Sequence, residues 1–207
     1  MKFLIVGAHL RDEDVRGIAE PIACGAVWLS GIPIAGEQPL ADRELLQTAA
    51  RVRGELLERA TFVAIRYGFA ATPAEAAAKC APLAEGWKRV LDANQDNVEM
   101  TLKVVANDPK PRPDRREFAS GAGYLRALHE ATQAADVDPR FRDAVSNIGE
   151  HRWSHRDGRS LECALLVPRA EVERVREAGE RLKRDFPDVA FLLSGPWPLE
   201  VFVDHEP

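Results

Sequence analysis

NVEMTLKVV, residues 97–105, decides how the chain is to be folded. Val98, Met100, Leu102 and Val104 alternate with Glu99, Thr101 and Lys103, the two-residue period of a strand with one apolar and one polar face. Such a strand belongs in an antiparallel sheet covered on one side, not in a parallel sheet buried on both. Directly after it, NDPKPRPDRR (107–116) is all charge and chain breakers, which places an exposed loop or a domain boundary there. The expected division is therefore residues 1–106 and 107–207.

Working back from the strand, KFLIVGA and ACGAVWLSG (23–31) read as strands separated by a turn at RDEDVRG, and GIPIAGEQP interrupts the pattern. From Asp42 onward, Leu45, Leu46, Ala49, Val52, Leu56 and Leu57 recur at helical spacing. TFVAIRY is a further strand. Thr72, Pro73 and Glu75 then supply an N-cap, a first-turn proline and a capping-box carboxylate. The helix they open runs through Cys80, Trp87 and Leu91, with Pro82 expected to kink it. Trp28 and Trp87 fall on apolar positions.

Working forward, GYLRALHEATQAA predicts a helix burying Tyr124, Leu125, Leu128 and Ala131. Asp138-Pro139 opens another, burying Phe141, Val145 and Ile148, and the two are expected to form a helical hairpin. SLECALLVP is a strand. After Pro168, Val172, Val175, Gly179, Leu182 and Phe186 form one helical seam, and Glu177–Arg181 and Glu180–Arg184 are spaced for i,i+4 ion pairs. VAFLL and LEVFV close the chain, joined by SGPWP. The fold class is α+β in two small domains.

The chain has 207 residues, 45% of them hydrophobic, and 33 acids against 28 bases give a formal charge of −5 with both signs interspersed, so a nucleic-acid partner is not indicated. No stretch reaches the length of a membrane span, and a soluble cytoplasmic protein is expected. Cys24, Cys80 and Cys163 are few, distant and set in apolar surroundings, as buried free thiols are. P-loop, G-x-S-x-G and C-x-x-C patterns do not occur, and GAGYLR (121–126) lacks the third glycine of a dinucleotide fingerprint. No cofactor is assigned. His151 and His155 in EHRWSH would share a face if helical, the geometry of a metal pair. No third ligand accompanies them and the segment reads as a solvated helix end carrying Trp153.

Two elements stand out as interaction candidates. Arg66, Tyr67 and Phe69 surround a glycine at a strand end; Arg66 reads equally as a contact residue or as a cap for local carbonyls. Trp197 sits between Pro196 and Pro198, which fix φ and donate no hydrogen bond.

RYGF, NVEMTLKV, GYLRALHEA, LLVPR and SGPWP, taken in this order, resemble the gas vesicle GvpF/GvpL family of accessory proteins, from CGAVWLSG to FVD. Three departures stand against it: Val63-Ala64 replaces the family's Leu-Pro, Leu199-Glu200-Val201 follows the Gly-Pro-Trp-Pro turn instead of Pro-Tyr-x, and the region between GYLRALHEA and LLVPR is short for the family. The resemblance implies a ferredoxin-like N-terminal domain and a C-terminal α+β domain with a helical segment. It also implies a non-enzymatic role in gas vesicle assembly through contacts with the shell protein GvpA and other accessory proteins, with localisation to the cytoplasm and gas vesicle. In that setting Trp197 is expected to close the C-terminal sheet against a helix, with Arg66, Tyr67 and Phe69 facing a partner. The competing readings are a small-molecule-binding regulatory module and a metal-dependent hydrolase using His151 and His155.

Overall fold

The computed structural model describes residues 1–35, 42–105, 113–133, 137–157 and 160–203; the side chains of residues 131–133 and 155–157 lie outside that description, as does most of the 107–116 loop. Nine strands and five helices are described in the order β1 (Lys2–His9), β2 (Glu20–Cys24), β3 (Val27–Ile34), α1 (Arg43–Arg59), β4 (Val63–Ala64), β5 (Ala70–Ala71), α2 (Pro73–Ala93), β6 (Asn97–Val105), α3 (Gly121–Gln133), α4 (Pro139–Ser146), β7 (Glu150–Asp157), β8 (Ser160–Pro168), α5 (Val172–Asp185) and β9 (Phe191–Trp197). The chain divides into two compact units, residues 1–98 with 197–207, and residues 99–196. The expected cut after residue 106 falls one strand later than this one, because β6 is held between β8 and β9.

In the first unit the sheet order is β2-β3-β1-β4, with β5 also on β1, and β1 is antiparallel to β3, β4 and β5. The stretch 23–31 is not one strand but the inner part of a β2–β3 hairpin, and β3 runs on through Ile34. Gly25, at φ +58, makes the two-residue turn possible. Every residue of β1 from Phe3 to His9 is buried, so both of its faces are covered. At its end His9 stacks on Phe62 with ring centroids 4.9 Å apart, and its Nε2 lies 3.1 Å from Ser30 Oγ. Its Nδ1 is buried without a hydrogen bond, and burial holds the imidazole pKa down to about 3.

Helix α1 starts where Asp42 accepts from Glu44 N and Leu45 N, and it buries Leu45, Ala49, Val52, Leu56 and Leu57. Leu46 does not join them and is 43% exposed. Helix α2 opens with the expected capping box at Thr72 and Glu75, buries Cys80 and Trp87, and is continuous through Pro82. The predicted strand TFVAIRY is shorter than expected, only Val63 and Ala64 pairing with β1 before the chain turns.

In the second unit the connectivity β6-α3-α4-β7-β8-α5-β9 and the sheet order β7-β8-β6-β9 reproduce a ferredoxin-like arrangement. It is here that this connectivity is most legible; in the first unit the β2–β3 hairpin intervenes between β1 and α1. The alternation of β6 holds for Val98, Met100, Leu102 and Val104, all buried, while Lys103 is exposed; Glu99 is buried as well. Phe141 of α4 is fully buried, its ring centroid 5.3 Å from those of both Phe186 and Phe191. Burying a ring of this size is worth about 2–3 kcal/mol.

Several local expectations are corrected. Tyr124 and Leu128 on α3 are only half-buried and Leu125 is 63% exposed; α3 packs against β7 and the 3₁₀ turn at Arg115–Glu117, whereas α4 packs through Phe141, so the two helices take different principal partners. On α5 the ion pairs are Glu173–Arg176 at 2.5 Å and Glu180–Lys183 at 2.6 Å, both i,i+3, in place of the expected i,i+4 pairs. β9 runs through Ser194, Gly195 and Pro196 to Trp197, so SGPW is the end of an edge strand and not a turn between two strands. An edge tolerates Pro196 because a missing N–H costs no ladder bond there. Residues 199–203 form no strand; Leu199 makes an isolated parallel bridge to Val63.

Candidate partner-binding site

Arg66, Tyr67 and Phe69 occupy the short connection between β4 and β5 in the first unit. Both ends of it are tied to β1: Ile65 N donates to Val6 O at 3.2 Å, and Phe69 O accepts from Ile5 N at 2.9 Å. Gly68, at φ +105, lets the chain reverse between those anchors. The result is a fixed projection with Arg66 exposed and Tyr67 and Phe69 half-buried. The Lys79 ammonium stands 5.5 Å from the centre of the Phe69 ring, a cation–π contact. Beneath the loop the Arg53 guanidinium donates to Ile65 O; burial lowers its pKa, and Glu200 acts in the opposite direction. The carbonyl-capping part read for Arg66 from the sequence therefore falls to Arg53, and Arg66 is left at the surface.

Trp197 is 48% exposed, which overturns the expectation that it is wedged into the interior. The anchor of this segment is Leu199, fully buried, whose N–H donates to Phe62 O at 2.9 Å and whose carbonyl accepts from Ala64 N at 2.8 Å. With Phe202 and Val203 also buried, the chain after Trp197 is fastened and the indole stands just outside the fastening. The parallel bridge of Val63 to Leu199 sets the register. Beyond that bridge the chain bends, and Val201 is left 43% exposed. Lys79 thus joins the loop of Arg66, Tyr67 and Phe69 through its contact with the Phe69 ring. Val201 was not singled out from the sequence because LEVFV alternates like a strand, which hides the bend that turns it outward.

The metal reading of EHRWSH rested on a helix, and the segment is strand β7. Four residues along a strand separate two histidines by about 13 Å, beyond a shared ion. Both ring nitrogens of His151 lie 3.1 Å from local partners, Nε2 from Ser146 Oγ and Nδ1 from Gly149 O. Among the described residues no group of three or more His, Cys, Asp or Glu side chains is placed to hold a metal. Trp153 is likewise a strand residue, half-buried against Leu161 with the Arg142 guanidinium 5.1 Å from its ring centre. All three cysteines are buried and free; burial pushes the Cys163 thiol up to about 12 and Cys80 up to about 11, and raises Cys24. No described helix is long and apolar enough to cross a membrane.

Arg66, Tyr67 and Phe69 are carried on a backbone anchored at both ends to β1, and Trp197 precedes the fastened Leu199; a side chain on a fixed backbone loses less entropy on being covered than one on a mobile loop. Two solved structures share the architecture. The gas vesicle protein GvpF from Anabaena sp. PCC7120 superposes with a TM-score of 0.67 at 14% identity, covering 100% of this chain and 98% of that one. GvpF from Microcystis aeruginosa gives 0.66 at 13%, covering 98% and 99%. No curated protein matches the sequence. The model of the gas vesicle synthesis protein GvpL/GvpF family matches residues 22–204, so the chain belongs to that family and its role lies in gas vesicle formation.

Proposed function

We propose that this protein is a non-enzymatic assembly factor that holds the gas vesicle shell protein GvpA, or an accessory protein bound to it, during vesicle growth in the cytoplasm. Arg66, Tyr67, Phe69 and Trp197 are the proposed contact residues, with Val201 added from the structure. The observation that carries the reading is Trp197, an indole left 48% exposed next to a segment whose neighbours Leu199, Phe202 and Val203 are buried. Large aromatics and arginine are the residue types enriched where binding energy concentrates. Family membership supplies the biological setting.

The test is co-purification of a GvpA-like shell protein with the tagged chain from cells expressing both. Retention of the shell protein by the native chain, with at least tenfold less retained by Trp197→Ala or Arg66→Glu at unchanged melting temperature, supports the reading. Equal retention by native and variant chains, or none by any, refutes it.

A further inference from the structure

We propose that the groove between α4 and α5 docks an acidic amphipathic helix of a partner protein. It is built from other residues than the surface around Arg66 and Trp197, and the inference goes beyond the assembly role. The groove has a volume of about 320 Å³. Val175, Ala178 and Leu182 of α5 line it at i, i+3 and i+7, facing Ala144 and Ile148 from the α4 side. Val175 and Leu182 are already buried by their own unit, but Ala144, Ile148 and Ala178 are only half-buried and leave apolar surface within reach. A floor with this spacing is what an amphipathic helix lays its apolar stripe against.

The rim says which helix. Arg174 and Arg181 both line the groove and stand seven residues apart on α5, about 10 Å along its axis. Arg181 is exposed and has neither hydrogen bond nor ion pair among the described residues. Arg174 pairs with Glu171, but these side chains are 60% and 44% exposed, and an exposed pair is readily exchanged for another carboxylate. Asp185 closes the far end, four residues beyond Arg181. The order of charges along the groove, plus, plus, minus, spans three helical turns. A compact anion would engage one guanidinium and meet Asp185 at the wrong end, whereas a helix carrying two acids seven residues apart, followed by a base, answers all three. On a chain of formal charge −5, a cationic groove also selects its partner against the surrounding surface.

The experiment places a photo-cross-linking amino acid at Ala178 of the full chain, expressed together with the gas vesicle proteins, and sequences the captured peptide. The expected result is one recurrent amphipathic segment with acidic residues seven apart. Its yield should fall at least tenfold in the Arg174→Glu/Arg181→Glu variant at unchanged thermal melting, survive in Arg181→Lys, and be unaffected by Trp197→Ala. This last control separates the groove from the shell-binding surface. Capture of no protein, capture of a segment without paired acids, or equal capture by the charge-reversed variant overturns the proposal.

Discussion

Replacing Gly7 by alanine tests whether β1 is packed as tightly as its burial implies. A β-carbon added at Gly7 would sit 2.5 Å from Phe62 Cδ2, 2.8 Å from Cε2 and 3.2 Å from His9 Nε2. Phe62 is fully buried and stacked on His9, so the ring cannot swing aside without disturbing both. Overpacking of this kind costs about 1–3 kcal/mol, and alanine recovers at most about 1 kcal/mol by restricting the unfolded chain. The net expectation is a loss of about 1–2 kcal/mol, seen in urea as a midpoint lowered by about 0.5–1 M at an m-value near 2 kcal/mol/M. A double-mutant cycle with Phe62→Leu, which removes the ring carbons that clash, should show a favourable coupling of about 1 kcal/mol or more. A neutral or stabilising Gly7→Ala, or strict additivity with Phe62→Leu, would refute the packing argument.

Three further outcomes are expected. His9 has a folded pKa near 3 against an ordinary value of 6.5, so the unfolded chain binds the proton more tightly. Its contribution is complete above pH 6.5 and is lost at about 1 kcal/mol per pH unit as pH falls toward 3; the stability difference between native and His9→Gln protein, measured from pH 7 to 4, should follow that slope, and a flat difference would contradict it. Thr72 accepts from the backbone of Glu75 at 3.4 Å and caps α2. Thr72→Ala should cost about 1 kcal/mol in chemical denaturation and Thr72→Ser much less, equal effects counting against the cap. With its thiol pushed up to about 12, Cys163 should resist iodoacetamide at pH 8 in the native state and react promptly in urea; rapid native labelling would mean that its burial is misjudged.

The helix starts and the core alternation of β6 were readable because short-range chemistry determines them. Asp42, Thr72 and Asp138 each cap a helix where the sequence places one. The β2–β3 hairpin was missed because its only signal is Gly25, and a lone glycine within an apolar run does not reveal a positive φ. EHRWSH was misread as a helix end. Its strand is held by a seven-position antiparallel pairing with β8, a tertiary effect that overrides a weak local preference. Leu125 shows a different limit, since apolar periodicity identifies a stripe but not whether anything in the chain covers it, and the prolines beside Trp197 fix its backbone without saying what covers the indole. Of the proposed contact residues, Arg66, Tyr67 and Phe69 are neighbours in the sequence around a glycine, whereas the approach of Lys79 to Phe69 and the exposure of Val201 emerge only from the fold.

The most direct test of the assembly role is pressure-collapsible light scattering of cells carrying the whole gas vesicle gene cluster, with this gene intact, deleted, or replaced by the Trp197→Ala or Arg66→Glu form. Loss of the signal on deletion, restoration by the native chain, and weak restoration by variants that accumulate and melt normally are the predicted results. Undiminished scattering in the deletion strain, or full restoration by both variants, would contradict the account.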